Sequence, residues 1–291
     1  MPIVNEQDAA RRPIAVVGAG TLGWQIAGYL ACRGAAVRLH DIDAAQLKRA
    51  EREITAALSV MAPTDERQRT EHLRLSFTGD LASALADAWL IIEAVSERAE
   101  LKTRVFGELD RLAPPDALLA TNSSSFKSSA LLERVNHPER VLNTHFYNHP
   151  WQRSAVEVMS CGHTRPEALE LVMRVLTGYG LQPFLVRADS TGFIYNRIWA
   201  AIKREALLVV CDGAATPAEV DAIWKVVNGA ETGPFELMDR VGLDVVLDIE
   251  EHYAAERDGI PTAPRELLRR YVAENKLGVK TGEGFYTHER S

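Results

Sequence analysis

No run of apolar residues in this 291-residue chain approaches the ~18–20 that a membrane-spanning helix requires, so no membrane partner is expected. Positive charge is also short. Lys and Arg number 33 against 40 Asp and Glu, a formal charge of −7, and no basic stripe offsets it, which argues against a nucleic-acid partner. Cysteine is scarce. Cys32, Cys161 and Cys211 follow no pairing pattern and no metal-ligand spacing, so no metal is expected and a reducing, cytoplasmic setting is the simpler inference. The first residues, Met1-Pro-Ile-Val-Asn-Glu-Gln-Asp8, lack a basic region followed by an apolar core, and no secretory signal is expected. Internal repeats and low-complexity segments are missing too. What is left is a soluble globular chain long enough for two domains, each with its own core.

The first informative stretch is Ile14-Ala-Val-Val-Gly-Ala-Gly-Thr-Leu-Gly23. It reads as a buried strand running into a glycine turn, followed by a helix over Trp24–Arg33 that Gly34 ends. Ala36–His40 then reads as a second strand closing at Asp41. Gly18, Gly20 and Gly23 have the G-x-G-x-x-G spacing of a dinucleotide-binding turn. Gly18 permits the tight turn, Gly20 lets the backbone approach a pyrophosphate, and Gly23 lets the helix pack closely on the strand. The helix opening, with Thr21 and Leu22, offers free N–H groups and the positive end of its dipole to phosphates. Asp41, 21 residues beyond Gly20, is placed to accept hydrogen bonds from the adenosine ribose. Its charge would repel a 2′-phosphate, so NAD is the expected cofactor rather than NADP.

Strands are expected at 73–78, 88–93, 117–121 and 181–187, with a helix through Leu101 and Phe106 to Leu112 and a pair of helices over 44–74, broken at Ala62-Pro63-Thr64. Strands alternating with helices imply an α/β fold with a doubly wound, Rossmann-type parallel sheet. Ligands in such sheets lie beyond the strand C-termini, where Glu93, Asn122, the serines at 123–125 and His145 fall. Past Gly192 the strand pattern stops. Helices are expected at 193–210, 217–227, 234–253 and 264–275, with Pro217 and Pro234 in first turns and Thr216 as an N-cap. The chain therefore divides into residues 1–188, a dinucleotide-binding domain, and residues 189–291, a smaller all-α domain.

His145 stands at the end of an apolar strand, and Glu157 follows twelve residues later inside another apolar run. Two extended segments joined by a short loop can set these side chains side by side, giving a histidine base with a carboxylate to orient it. A surface histidine and a solvated glutamate are the alternative. Likewise Ser124 could serve as a helix N-cap, and Asn196 could cap backbone groups where its helix opens.

With these pieces in order, the sequence resembles the L-3-hydroxyacyl-CoA dehydrogenase family over nearly its whole length. The resemblance is carried by the glycine turn, Glu93-Ala-Val-Ser-Glu-Arg98 with Lys102, Thr121-Asn-Ser-Ser-Ser125, His145-Phe-Tyr-Asn148, Val156-Glu-Val158, Gly192-Phe-Ile-Tyr-Asn-Arg197, Gly233-Pro-Phe-Glu-Leu-Met-Asp239 and Lys280-Thr-Gly-Glu-Gly-Phe-Tyr286. It implies that His145 takes the proton of a substrate 3-hydroxyl as hydride leaves C3 for NAD, and that Glu157 orients the imidazole. It further implies that Ser124 and Asn196 hydrogen-bond the reacting oxygen, that Asn148 contacts substrate, and that Glu97, Lys102 and Asn122 contact the cofactor. Fatty acid metabolism, a homodimer formed through the all-α domain and a small-molecule acyl substrate are part of the same implication.

Three features depart from that pattern. The family's usual His-Phe-Phe-Asn is followed by proline and an apolar loop, whereas here the loop is His149-Pro-Trp-Gln-Arg-Ser154. A buried or half-buried Arg153 beside the substrate would suit a carboxylate; a solvent-pointing arginine is the alternative. The 44–74 projection is shorter than the acyl-CoA enzymes usually have, with Glu51, Glu53, Asp65, Glu66 and Glu71 among its bases, although Arg49, Arg52, Arg67 and Arg69 could still grip CoA. Thr191 replaces the proline usual before Gly192-Phe193, which is expected to affect only the entry to the helix. These departures point to a free 3-hydroxy acid (gulonate- or carnitine-like) or a carrier-bound acyl group; a non-catalytic NAD-binding protein of the crystallin kind is a separate alternative, which the His–Glu pair and its polar partners disfavour.

Overall fold

The computed structural model describes residues 3–62 and 73–289. The chain forms two compact units that divide between Phe193 and Ile194. In the first unit a short helix α1 (Glu6–Arg11) precedes β1 (Ile14–Val17), α2 (Thr21–Cys32), β2 (Val37–His40) and α3 (Ala44–Met61). There follow β3 (Leu75–Thr78), α4 (Leu81–Leu85), β4 (Leu90–Glu93), α5 (Ala99–Leu112) and β5 (Leu118–Thr121). The antiparallel pair β6 (Val141–Phe146) and β7 (Ala155–Ser160), then α6 (Pro166–Gly178) and β8 (Gln182–Val186), complete the unit.

Among the described residues the strands form one eight-stranded sheet in the order β3-β2-β1-β4-β5-β6-β7-β8. Every pairing is parallel except β6–β7. The central strands are apolar at successive positions because both faces are covered, as a parallel sheet requires. Val16, Leu39, Ile92 and Leu142 meet α2, α3 and α6 on one face, while Val17, Ile91 and Leu119 meet Leu85, Phe106 and Leu109 of α4 and α5 on the other. The doubly wound α/β architecture is thus present, with one reversal of strand direction at its far side.

Some local expectations need correction. The dinucleotide helix opens at Thr21 rather than Trp24, placing the glycine turn directly on its N-terminus. In the 44–74 stretch α3 is the first of the two expected helices; the break at Pro63-Thr64 and the second helix, with Arg67 and Arg69, lie outside the described residues. Helix α6 has no counterpart among the sequence expectations.

The second unit holds α7 (Tyr195–Cys211), α8 (Pro217–Asn228), α9 (Pro234–Val241), α10 (Leu243–Glu256) and α11 (Ala263–Ala273). Its core gathers Leu207, Phe235, Met238, Leu243, Val246 and Leu268. The single helix expected over 234–253 is two, because Gly242 takes φ +104 and turns the chain between them. Thr216 and Glu219 form a capping box at α8. Two buried aspartates lock the unit together. Asp221 accepts from the backbone N–H groups of Phe235 (2.8 Å) and Glu236 (2.9 Å) and from the Tyr286 hydroxyl (2.8 Å). Asp239 accepts from the N–H groups of Phe285 (2.9 Å) and Tyr286 (3.0 Å). The two C-terminal motifs singled out in the sequence therefore brace each other. No described helix is long and apolar enough to cross a membrane.

Candidate active site

β1 and β4 are neighbours in the sheet but lead to helices on opposite faces, so their C-terminal ends open a crevice. Gly18 leaves β1 with φ +107, and a Cβ there would lie 2.6 Å from the Ala94 carbonyl oxygen just past β4. At Gly23 the close approach is to the turn itself rather than to the strand: a Cβ would sit 1.9 Å from the Gly18 carbonyl oxygen. Gly20 has open space where its Cβ would be, and as N-cap of α2 it makes no side-chain bond to the helix. A phosphate placed there would face the backbone N–H groups of the first turn of α2 and the positive end of its dipole. Asp41, half-buried at the end of β2, accepts from Ala19 N–H at 2.8 Å and Asp43 N–H at 2.9 Å, leaving lone pairs on both oxygens for a diol. The shape and donor set fit a dinucleotide.

Across the β6–β7 ladder His145 stands directly opposite Glu157. Both are buried, and His145 Nδ1 lies 2.9 Å from Glu157 Oε2. Antiparallel pairing sets the two side chains on one face at adjacent positions, and the carboxylate favours the imidazole tautomer with its proton on Nδ1, leaving Nε2 for other partners. Phe193 stacks on the imidazole at 5.0 Å and 14°, while Tyr147 meets it edge-on at 4.7 Å. The alternative of a surface histidine with a solvated glutamate is not what the structure holds.

His145 borders a cleft of about 220 Å³ walled by Leu22, Ala94, Val95, Glu97, Lys102, Asn122, Ser123 and Ser124. Asn122 accepts from the Phe146 N–H at 2.8 Å, tying the end of β5 to the end of β6. Lys102 is only 1% exposed, and its ammonium donates to Glu93 Oε1 at 2.8 Å and to the Val95 carbonyl at 3.2 Å, with Glu97 Oε2 at 3.0 Å. Glu97 also accepts from the Ser123 hydroxyl and from Ser125 N–H. Burial pushes the Glu97 carboxyl up, but the Lys102 charge and the Ser123 donor outweigh it and hold the carboxyl below its usual range. Lys102 is thus the hub of a buried polar network as well as part of the cleft wall.

The remaining sequence candidates are distributed differently. Ser124 is exposed at the cleft and caps no helix, since the next helical turn opens at Ser128 with Lys127 before it. Ser123 does the local capping instead, accepting from Phe126 N–H at 2.7 Å. Asn148 is exposed on the β6–β7 loop. Arg153 is exposed too, the solvent-facing one of the two placements the sequence left open. The loop turns at His149 (φ +61), whose N–H is held at 2.6 Å by the buried Gln25 of α2, and Arg153 N–H closes the turn on the His149 carbonyl at 2.9 Å. Thr191 is buried before a left-handed pair, Gly192 (φ +73) and Phe193 (φ +54), and the Phe193 ring stacks on His145. Asn196 is half-buried on the first turn of α7, in the second unit, where no side chain caps the helix. Tyr147 and Phe193 had no role from sequence, although each stands in a motif noted there, and Glu93 and Ser123 had only a place beyond the strand C-termini. No cluster of His, Cys, Asp and Glu able to hold a metal occurs among the described residues.

Comparison with known proteins agrees with this arrangement. Residues 13–190 match the family model of the 3-hydroxyacyl-CoA dehydrogenase NAD binding domain, and residues 192–288 match that of its C-terminal domain. The chain is 33% identical over 282 residues to a probable 3-hydroxybutyryl-CoA dehydrogenase of Bacillus subtilis, covering 96% of this chain and 98% of that one. It is 30% identical to the 5-formyl-3-hydroxy-2-methylpyridine 4-carboxylate 5-dehydrogenase of Mesorhizobium japonicum, covering 95% and 91%. The crystal structure of (S)-3-hydroxybutyryl-CoA dehydrogenase from Ralstonia eutropha superposes with a TM-score of 0.87 at 27% identity, over 96% of this chain and 99% of that one. A glycine turn shaped for NAD and family models matching both parts of the chain lead to one conclusion: the protein belongs to the 3-hydroxyacyl-CoA dehydrogenase family of NAD-dependent oxidoreductases.

Proposed function

We propose that the chain interconverts a 3-hydroxyacyl-CoA and its 3-oxo form, with His145 as the general base. The observation that carries this reading is the buried His145–Glu157 pair, 2.9 Å apart, whose histidine lines a cleft that Leu22 of the dinucleotide helix also lines. NAD, when bound, would supply the hydride acceptor for C3. His145 Nε2 takes the hydroxyl proton, and Glu157 holds the ring in register and stabilises the imidazolium that forms. Ser124 and Asn196 hydrogen-bond the reacting oxygen, and Asn148 contacts the acyl portion. Gly18, Gly20, Thr21, Leu22 and Gly23 would hold the pyrophosphate and Asp41 the adenosine ribose, and Glu97, Lys102 and Asn122 would contact the cofactor from the cleft wall. The first unit, which ends at Phe193 rather than near residue 188, would hold cofactor and base, and the helical remainder pairs two chains as a cytoplasmic homodimer. In the reverse direction every proton retraces its path, because an imidazole gives up a proton as readily as it takes one near neutral pH.

The test is NAD reduction with (S)-3-hydroxybutyryl-CoA beside free 3-hydroxybutyrate, gulonate and carnitine. His145→Ala is expected to lower turnover by about 10²–10⁴-fold while NADH still binds; turnover equal to that of the parent sinks the assignment. A second reading, a free 3-hydroxy acid as substrate, is favoured by the likeness to an enzyme named for a pyridine carboxylate, although Arg153 is exposed on the β6–β7 loop. Under that reading Arg153→Ala raises KM for the free acid far more than for the thioester, and an equal effect on both removes it.

A further inference from the structure

Glu157 Oε2 accepts two donors, not one. His145 Nδ1 lies 2.9 Å away, and the Tyr147 hydroxyl donates to the same oxygen at 2.7 Å. Tyr147 leaves β6 two residues after His145, is half-buried, and turns its ring edge-on to the imidazole at 4.7 Å and 60°. The imidazole is therefore gripped on three sides: by the carboxylate from β7, by the Tyr147 ring, and by the Phe193 ring stacked at 5.0 Å. The other charged groups on the cleft wall, Glu97 and Lys102, are paired with each other at 3.0 Å.

We propose that Tyr147 is a positioning residue of the proton-transfer centre, fixing Glu157 and weakening its hold on the His145 proton. The proposal rests on reading His145 as the base. A carboxylate oxygen with one donor concentrates its charge on that donor, whereas a second hydroxyl donor draws part of the charge away. Glu157 then stabilises the imidazolium less, so His145 stays neutral, and able to accept the substrate proton, to lower pH than it would without Tyr147. The same hydrogen bond limits rotation of the carboxylate, which keeps Nδ1 engaged and Nε2 turned to its task.

The effect is read without substrate. In the full chain carrying ¹³C-labelled histidine, the ring signal that vanishes in His145→Ala is that of His145, and its titration is followed in the parent and in Tyr147→Phe. Removing the hydroxyl is expected to move the midpoint up by roughly 0.5–1 pH unit. In a Glu157→Gln background the same change should move it little, because the shared acceptor is no longer charged. NADH binding reports that each variant is folded. A midpoint that does not move in Tyr147→Phe, or that moves as far in the Glu157→Gln background, overturns the proposal. With (S)-3-hydroxybutyryl-CoA the acid limb of oxidation should shift up with the midpoint and turnover well down that limb fall by about 3- to 10-fold, KM staying unchanged. If His145→Ala turned over like the parent, the base assignment would fail instead, a result distinct from an unmoved titration.

Discussion

Lys102 reaches Glu93 with 2.8 Å between Nζ and Oε1, both side chains sealed from solvent. Val95 N–H donates to the same carboxylate at 2.7 Å and the Thr121 hydroxyl to its other oxygen at 2.7 Å, so Glu93 ties the ends of β4, β5 and α5 together where the cleft opens. Truncating one member of a buried pair leaves the other charge uncompensated. Lys102→Met is expected to lower unfolding free energy by about 3–5 kcal/mol, measured by urea denaturation. Adding Glu93→Gln should recover much of that loss. A single variant as stable as the parent would show that the pair does not hold the strand ends.

Gly23 makes a second prediction. Its missing Cβ leaves room for the Gly18 carbonyl oxygen, which a methyl would approach to 1.9 Å. The obstacle is backbone, so the turn must open. Gly23→Ala is expected to destabilise by about 1–3 kcal/mol and to weaken NADH binding at least tenfold, as read by protein-to-nicotinamide fluorescence transfer. Gly20→Ala, whose Cβ meets nothing, should keep stability and lose only NADH affinity. Parallel losses of both properties in the two variants would contradict the division of roles between these glycines.

These cases indicate which parts of the molecule were legible in sequence. The segment from Ile14 to Asp41 was readable because its chemistry is short-range: strand, turn and helix follow from neighbouring residues. His145 and Glu157 were readable because twelve residues suffice for two strands and a loop. Helix α6 carried its signal as well, with Ala168, Leu171, Val172 and Leu176 on one buried face behind Pro166, a pattern left unread. Other features depended on distant partners. The break at Gly242 interrupts an apolar pattern that continues on both sides, and it is set by Leu243 N–H bonding the Leu277 carbonyl at 3.2 Å. Arg153 ends up exposed because of a turn whose anchor, Gln25, lies 124 residues earlier. The Tyr147 hydroxyl could have pointed to solvent, and only the carboxylate beside it gives it a role.

A third prediction concerns Lys203 in the helical unit. It is buried on α7, and burial drives its ammonium down to about 8, Glu250 opposing the shift and Arg204 adding to it. The unfolded lysine holds its proton until about 10.5, so between those values the unfolded chain binds more protons and stability rises with pH. Below about 8 the full cost of the buried charge is present. Lys203→Met should therefore stabilise the protein at pH 7 by roughly 1–3 kcal/mol, since Glu250 keeps Arg204 at 2.7 Å. The gain should shrink toward pH 10. Denaturant melts of both proteins at the two pH values decide it, and a gain that is the same at both refutes the titration account.

The last prediction tests cofactor choice. Asp41 accepts from Ala19 and Asp43 N–H groups, so its carboxylate is fixed in position before any ribose arrives. A fixed anion at the end of β2 both attracts a diol and repels a 2′-phosphate. Asp41→Asn retains one acceptor oxygen and the side-chain volume while removing the charge. NADH affinity should fall several-fold and NADPH affinity should rise, narrowing the preference between them by at least ~10-fold, equivalent to about 1.4 kcal/mol. Serine should narrow it less cleanly, because its shorter side chain also withdraws from the Ala19 turn and weakens both cofactors. Titrating the two reduced cofactors into parent, Asn and Ser proteins separates charge from geometry: if Asn leaves the ratio of affinities where the parent has it, discrimination does not reside at the end of β2.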